Sequence, residues 1–399
     1  VLTSPAMSRS HARSALAGAL ALVLAACATQ SPPPPAAESQ PAAEEDTAAP
    51  EPEAAPEPDP GPVVSSYQPI EVARPEFVRT TAARYDVDPE WIERVLDGAE
   101  IRQSIITAMS RPAEAKPWKD YRPIFITDAR INAGRAFLAE HREALARVEA
   151  QYGVPAEIIV AILGVETSYG GNMGSYPVVD AIYTLAFAYP RTDEPGKIER
   201  ENRREAFFRD ELAQLFALGK ETGLDITTLK GSYAGAMGWG QFMPSSYRDY
   251  AVDGDGDGKV DLFNNLDDVF ASVANYFVEK GGWERGGPVV VRANRAEGAA
   301  DFEPEGLEPR YSLAQLAARG YTAATPAAHR ADGVSLDATL LNLEGVDGPE
   351  YWFGFNNFYA ITRYNISKHY AMAVYQLAEA IAGRDPLAVA EADGERGEA

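Results

Sequence analysis

Three groups of residues in this 399-residue chain have types and spacings suited to chemistry. The first is Glu166. The stretch Pro155 to Glu166 reads as one helix, with Ile158, Ile159, Ile162 and Leu163 recurring at helical spacing. Glu166 follows Ile162 by four residues and Ile158 by eight, so it projects from the same apolar stripe. Desolvation there raises a carboxyl pKa and keeps the group protonated near neutral pH. A protonated carboxylic acid in an apolar pocket is the general acid that glycosidic-bond cleavage requires. The same position also reads as a last helical residue turning to solvent, as most glutamates do. Thr167, Ser168, Tyr169, Gly170 and Gly171 follow, small and aromatic residues that can line a cleft. A hydrolase would pair the acid with a second carboxylate at a set separation. The next Asp or Glu along the chain is Asp180, so such a partner would have to fold in from a distance.

The second group is Gly231-Ser-Tyr-Ala-Gly-Ala-Met-Gly-Trp-Gly-Gln-Phe-Met-Pro-Ser-Ser-Tyr247. Its glycines let backbone approach a ligand closely. Ser232 and Gln241 offer hydrogen bonds suited to sugar hydroxyls and amides, and Trp239 and Phe242 offer ring faces. An ordinary glycine-rich turn has the same composition. The third group is Asp253-Gly-Asp-Gly-Asp-Gly-Lys-Val-Asp-Leu-Phe-Asn264. Asp253, Asp255 and Asp257 match positions one, three and five of an EF-hand loop. Gly258 supplies the turn at six, Lys259 a backbone carbonyl at seven, and Asp261 a side chain at nine. Position twelve, a bidentate Glu in the standard loop, is Asn264. Alternating aspartates repel one another without a cation, which favours a structural calcium over a bare acidic turn.

Several elements must position these groups. Asp88-Pro89 opens a helix with Ile92, Val95, Leu96 and Ala99 on one face. A long helix is predicted through Phe137, Leu138, His141, Leu145 and Val148, stopping at Gly153. Residues 180–189 and 207–218 continue the helical pattern, and the charged stretch from Arg191 to Arg204 reads as a surface insertion. Between about 288 and 355 the period changes. Val289-Val290-Val291 and Thr339 to Leu343 read as strands, with a short helix from Leu313 to Arg319, a small β-containing lobe set into a helical protein. Helix returns from Ser367 to Ala382.

The formal net charge of −23 argues against nucleic acid, since a phosphate-binding face needs clustered Lys and Arg. Residues 28–63 are rich in Pro, Ala and Glu, include four consecutive prolines from Pro32, and contain no base. Such a segment forms no core and prefers an extended chain. At roughly 3.1 Å per residue it would reach about 110 Å. Residues 385–399 form a second acidic run. Cys27 is the sole cysteine. Arg9, His11 and Arg13 precede a short apolar run, Ala15 to Ala26, too short to span a bilayer. Leu24-Ala-Ala-Cys27 resembles the bacterial lipobox, which makes residues 1–27 a lipoprotein signal with Cys27 as the lipidated residue; a plain secretory signal is the alternative. Ala28 after the cysteine favours the outer membrane by the same resemblance.

Four motifs resemble, in order, those of the membrane-bound lytic murein transglycosylase B family. They are Gly164-Val-Glu-Thr167, the run from Lys230 to Tyr247, Ser272-Val-Ala-Asn-Tyr276, and Arg363-Tyr-Asn-Ile-Ser-Lys-His-Tyr370. The match runs from about Tyr67 to Ala382, and residues 64–384 are expected to form the catalytic domain. The resemblance implies an α+β, mainly helical fold: a lysozyme-like core with a helical subdomain, the inserted β-containing lobe and the EF-hand-like loop. It implies cleavage of the β-1,4 bond between N-acetylmuramic acid and N-acetylglucosamine in peptidoglycan, during cell-wall turnover. The muramyl C6 hydroxyl, not water, attacks C1 and leaves a 1,6-anhydro end. Carried over by motif, Glu166 is the acid and then the base. Ser232 and Gln241 contact the substrate, Ser232 at the muramyl N-acetyl group. Tyr364, Asn365 and Tyr370 support the acid and the sugar bed, and Tyr121 and Tyr276 are cleft aromatics. Phe207 stands where the family places a tyrosine, so no phenol is available there. Relative to the family, a one-residue slip in the acidic loop would bring Asn265 or Asp267 into the role of Asn264. The expected partners are glycan strands and, through the lipid, the inner leaflet of the outer membrane, facing the periplasm. No organic cofactor is expected. Two other readings are a hydrolytic muramidase and a non-catalytic, calcium-dependent glycan-binding lipoprotein.

Overall fold

The change of hydrophobic period near Pro288 divides the chain into a helical body and a sheet. A computed structural model describes residues 68–110, 116–192, 194–324 and 336–385. Cys27, the Pro/Ala/Glu-rich segment and the acidic run beyond Asp385 lie outside the described residues. The body begins with α1 (Ile70–Tyr85), α2 (Pro89–Asp97), α3 (Gln103–Ser110), α4 (Trp118–Phe125), α5 (Asp128–Glu140), α6 (Arg142–Tyr152) and α7 (Ala156–Thr167). It continues through β1 (Tyr176–Pro177), α8 (Val178–Phe187), α9 (Ile198–Thr222), β2 (Lys230–Gly231), α10 (Pro244–Tyr250) and α11 (Leu266–Glu279). The sheet region holds β3 (Val290–Arg295), β4 (Tyr311–Ser312), α12 (Leu313–Ala318), β5 (Tyr321–Ala323), β6 (Asp337–Gly345) and β7 (Gly348–Gly354), before α13 (Asn356–Thr362) and α14 (Lys368–Ile381) close the chain.

Local chemistry sets the boundaries that matter for α7. Gly153 ends α6 in the left-handed conformation, at φ 75°, a C-terminal stop that glycine tolerates without steric cost. Pro155 then restarts the helix, and the axes of α6 and α7 bend by 112°. The apolar stripe read from the sequence is wider than expected: every residue from Ile158 to Val165 is buried. Such a helix is apolar all round and belongs at the centre of a fold. It packs against α5, α6, α11 and α14. Among the described residues, no single helix is long and apolar enough to cross a membrane.

Two expectations are corrected here. The helix predicted through Phe137 to Val148 breaks at His141, which caps α5 and starts α6. The break lets α5 lie along α7 while α6 turns to α11, and the His141 ring covers the junction, 4.4 Å from Phe137 and 5.7 Å from Phe270. The charged stretch from Arg191 to Arg204 is exposed over residues 194–200, as expected of a surface segment, but its second half is helical and partly buried. α9 already begins at Ile198, and Glu201 and Glu205 are buried. Glu201 accepts from the Thr192 N–H at 3.0 Å and the Thr192 hydroxyl at 2.6 Å, and Glu205 pairs with Arg191 and Arg209. Charge is buried only where partners compensate its desolvation, and composition alone does not show those partners.

The sheet is antiparallel, with strand order β4-β6-β7-β3-β5. In the β6–β7 hairpin Leu341 faces Trp352 and Gly345 faces Gly348. Side chains alternate between two cores, as a period of two requires. Leu341, Leu343 and Trp352 join the main core, while Leu340, Phe353 and Ala293 join Leu316 of α12 and Tyr321 in a smaller one. Ion pairs from Lys119 of α4 to Glu344 and from Lys368 of α14 to Glu303 tie this lobe to the body.

Because Ile162 lies fully buried in the middle of α7, Ile162→Ala is expected to lower the unfolding free energy by about 3 kcal/mol. Urea titration of the two proteins measures it, and a loss under about 1 kcal/mol would contradict the central placement of this helix.

Candidate active site

α7 ends in a turn that its sequence makes difficult. Ser168, Tyr169 and Gly170 all take positive φ, at 51°, 60° and 81°. Left-handed backbone costs about 1–2 kcal/mol for each non-glycine residue, so the turn must be held from outside. The Tyr169 phenol donates to the Arg130 carbonyl at 2.9 Å, and its ring lies 5.7 Å from Phe137. The Thr167 hydroxyl donates to the Trp239 carbonyl at 3.1 Å and accepts from the Gly170 N–H at 3.0 Å. Gly170 leaves room for Trp239, since a Cβ there would fall 2.4 Å from the indole.

The glycine-rich segment is pinned to the same turn at two further points. β1 pairs with β2, Tyr176 opposite Gly231, and Gln241 Nε2 donates to the Met173 carbonyl at 3.2 Å and the Gly238 carbonyl at 3.0 Å. Gln241 itself sits at φ 50°. Ser232 Oγ accepts from the Ala236 N–H at 3.1 Å. Ser232 and Gln241 are both half-buried. Gly164 to Thr167 and the segment from Gly231 to Phe242, far apart in the chain, thus form one surface.

Glu166 stands at the centre of this surface and is half-buried. The Tyr370 phenol donates to its Oε1, and Tyr121 and Tyr364 lie near enough to feel its charge. Burial pushes the Glu166 carboxyl up to about 7, and the Tyr370 hydrogen bond opposes this more weakly. The phenols of Tyr121, Tyr364 and Tyr370 are themselves pushed up, first by burial and then by the Glu166 charge. They stay neutral, so each can donate a hydrogen bond at any pH at which Glu166 titrates. The Tyr364 phenol donates to the Gly240 carbonyl at 2.6 Å. Two atoms contributed by the same segments, Tyr121 Oη and Asn365 Oδ1, are buried with no hydrogen-bond partner among the described residues. Buried polar atoms are normally paired, so these two are exceptions in the wall behind Glu166.

Other residues read from the sequence fall elsewhere. Tyr276 is buried under the site rather than open to a cleft: its phenol donates to the Arg363 carbonyl at 2.7 Å, and its ring lies 4.9 Å from Tyr364. Phe242 is 3% exposed, wedged 5.6 Å from Tyr276 and 5.9 Å from Tyr364. It offers no free face, because it forms the packing under Tyr364. Trp239 packs 5.9 Å from Phe137, and its indole N–H is taken by the Phe263 carbonyl at 3.1 Å. Phe207 lies on α9, with its ring 5.2 Å from Phe208 and the Arg204 guanidinium 5.8 Å away; these contacts do not bring it into the Glu166 cluster. Tyr169 was not singled out as a support, because its role depends on Arg130 and Phe137, which sequence proximity does not place beside it. His369 was also missed. Its ring lies 5.9 Å from Trp118 and 5.6 Å from Tyr121, and burial, helped by Lys368, pushes it down to about 4, so it is a neutral ring in this wall.

The acidic loop gathers a different set from the one read by EF-hand counting. One carboxylate oxygen from each of Asp253, Asp255 and Asp268 lies within 4.8 Å of the others. Asp268, at 0% exposure, also accepts from the Gly254 N–H at 2.7 Å and the Asp261 N–H at 2.8 Å. The Asp257 carboxylate instead accepts from the Lys259 N–H at 2.8 Å. Asn264 donates to Asp261 at 3.0 Å, and Asn265 donates to Asp255 at 3.0 Å and caps α11. Asp267 pairs with Arg147 at 2.8 Å. α11 starts at Leu266, and its first turn carries Asp268 back over the loop, beyond the twelve positions counted from Asp253. Three converging carboxylates are an oxygen-only donor set that fits a hard divalent cation such as calcium.

Comparison with known proteins agrees with this geometry. Residues 71–379 match the family model described as the transglycosylase SLT domain. The chain is 41% identical over 317 residues to the membrane-bound lytic murein transglycosylase B of Escherichia coli (strain K12), covering 77% of this chain and 82% of that protein. The structure of the Escherichia coli lytic transglycosylase Slt35 in complex with calcium superposes with a TM-score of 0.67 at 39% identity, over 78% of this chain and 93% of that one. The structure of SltB3 from Pseudomonas aeruginosa in complex with NAG-NAM-pentapeptide superposes with a TM-score of 0.66 at 31% identity, over 79% of this chain and 80% of that one. The chain belongs to the transglycosylase SLT domain family. Its fold is the mainly helical, lysozyme-like one of these enzymes, and its activity is that of a peptidoglycan lytic transglycosylase.

The raised carboxyl has a stability consequence. A group moved from 4.5 to about 7 by folding contributes stability that is whole below its unfolded pKa and lost as pH rises through the folded one. Glu166→Gln removes this titration. Relative to the wild type, the variant should therefore gain stability between about pH 4.5 and 7, by about 3 kcal/mol at pH 8. Melting curves from pH 4 to 8 measure the difference, and a constant offset across that range would contradict a buried, protonated Glu166.

Proposed function

We propose that Glu166 is both proton donor and proton acceptor in a cleavage that consumes no water. The protonated carboxyl gives its proton to the glycosidic oxygen as the bond from C1 to that oxygen breaks. The carboxylate so formed takes the proton of the muramyl C6 hydroxyl as that oxygen bonds to C1, which leaves a 1,6-anhydro end and returns the acid to its starting state. The observation that carries this reading is the company Glu166 keeps. Burial and one phenol act on it, and among the described residues no second carboxylate is among the causes of its shift. A water-using glycosidase would instead pair the acid with a second carboxylate at a set separation. Tyr370 suits both halves of the cycle: its O–H stabilises the carboxylate after the first transfer, while burial keeps the acid form accessible near neutral pH.

In this reading Ser232 and Gln241 meet the sugar, and Tyr121, Tyr364, Asn365 and Tyr370 hold the bed. The substrate is a glycan strand of peptidoglycan. Support comes from the relative named as a murein enzyme and from the neighbour solved with a NAG-NAM-pentapeptide. Calcium would be held by Asp253, Asp255 and Asp268, neutralising their mutual repulsion and clamping the loop to α11, and the calcium complex of Slt35 supports this assignment. Lipidation at Cys27 would anchor the enzyme in the outer membrane, facing the periplasm. The supports are the Leu-Ala-Ala-Cys sequence and the membrane-bound name of the relative.

Digestion of purified sacculi followed by mass spectrometry tests the chemistry. The expected products are anhydro-muropeptides, one water lighter than hydrolysis products. Reducing ends would instead show a muramidase, and no release at all a binding protein. Glu166→Gln is expected to lower the rate by about a thousandfold while the folded variant still sediments with sacculi.

Calcium should raise the melting temperature and a chelator should lower it. Asp268→Asn is expected to abolish both responses. A variant that still responds fully would remove Asp268 from the ligand set.

A further inference from the structure

Glu211 is a buried carboxylic acid that this chemistry does not use. It lies on α9 at 2% exposure, and among the described residues no Lys or Arg is recorded in an ion pair with it. Both of its oxygens go to one residue. Oε1 accepts from the Ser245 hydroxyl at 2.6 Å, and Oε2 accepts from the Ser245 N–H at 2.9 Å. Ser245 follows Pro244 at the start of α10, so Glu211 supplies from another helix the acceptor that a first-turn N–H needs. The charges acting on Glu211 are those of Asp210 on α9 and Asp249 on α10, both acids. Tyr276 of α11 is near enough to feel Glu211 and stays neutral, and Arg248 of α10 is taken by Glu221 and Gln214. An uncompensated carboxyl among acids is an unfavourable choice for a generic cap.

What Ser245 anchors is the segment immediately before it. The Gly240 carbonyl holds the Tyr364 phenol at 2.6 Å, Gln241 sits in left-handed backbone at φ 50°, and Phe242 is wedged between Tyr276 and Tyr364. The upstream end is tied where the Trp239 N–H donates to the Leu262 carbonyl at 3.0 Å. The downstream end is tied by Glu211. We propose that Glu211 is a positioning residue: through Ser245 it fixes the segment from Gly240 to Met243, and with it the carbonyl that holds Tyr364 and the side chain of Gln241, in the arrangement the substrate meets. The inference rests on the transglycosylase reading of the Glu166 site. Burial, with smaller contributions from Asp210 and Asp249, pushes the Glu211 carboxyl up to about 7.

The test compares the wild type with Glu211→Ala, Glu211→Gln and Ser245→Ala, following kcat and KM for anhydro-muropeptide release from sacculi, with melting temperatures alongside. Glu211→Ala is expected to lower kcat about tenfold at nearly unchanged KM, in a protein still folded at the assay temperature. Gln can accept from the Ser245 N–H and donate to the Ser245 hydroxyl. Glu211→Gln should therefore restore kcat to within about threefold. Ser245→Ala keeps the N–H and should fall between the two. A folded Glu211→Ala with wild-type kcat overturns the inference, and so do equal losses in the Ala and Gln variants. If Glu211→Ala does not fold, wild-type kcat in Ser245→Ala overturns it, and a loss there together with rescue in Glu211→Gln supports it. Failure of the wild type to release anhydro products would instead sink the reading of the Glu166 site, a distinct result.

Discussion

The structure depends on placing one carboxyl at the end of a helix with no solvated face. α7 is buried from Ile158 to Val165, so the first side chain that reaches open space is that of Glu166. A lone carboxylate there would be expensive, and the group responds by keeping its proton. The Tyr370 phenol then limits how far the pKa rises, since a hydrogen bond to the ionised form works against desolvation. Burial alone would hold the proton too tightly to donate it, and the phenol alone would release it too readily.

Everything near this carboxyl is arranged to tolerate strain. Two non-glycine residues in left-handed backbone, Ser168 and Tyr169, follow one residue after it, and a third, Gln241, lies across from them. Each is held by hydrogen bonds to carbonyls or by packed rings from other segments. Strained backbone persists where surrounding structure over-determines it, and such sites gather where function needs a fixed geometry. The glycines serve the same end by close approach, as at Gly170 beneath Trp239. Buried phenols from α4, from the segment after α13 and from the first turn of α14 complete the wall, and their neutrality keeps the field around Glu166 dominated by dipoles rather than charges.

The acidic loop and α9 illustrate a second constraint, that charge goes inside only with its partners. Asp268 is fully buried with two backbone N–H groups donating to it. Glu201 and Glu205 are buried because Thr192, Arg191 and Arg209 reach them. A run of charges therefore says little about exposure until the partners are located. In the acidic loop Asn264 donates to Asp261 and Asp257 accepts from the Lys259 N–H, while Asp268 arrives from the next helix.

Much of this protein was legible in its residues. The change of period near Pro288, the helix from Pro155 to Glu166 and the hairpin around residues 339–354 are local patterns, and local patterns survive into the fold because they reflect backbone geometry and burial of one face. Glu166, Ser232, Gln241, Tyr364 and Tyr370 were marked by motif. What the residues could not show was how these segments meet. The break at His141, the burial of Phe242 and Tyr276, the support of Tyr169 by Arg130 and the turn of Asp268 back over the loop all depend on contacts between distant segments. Sequence determines which side chains are available and how each element presents them. Tertiary packing decides which of them lose water, and loss of water is what turns an ordinary glutamate into an acid that works near neutral pH.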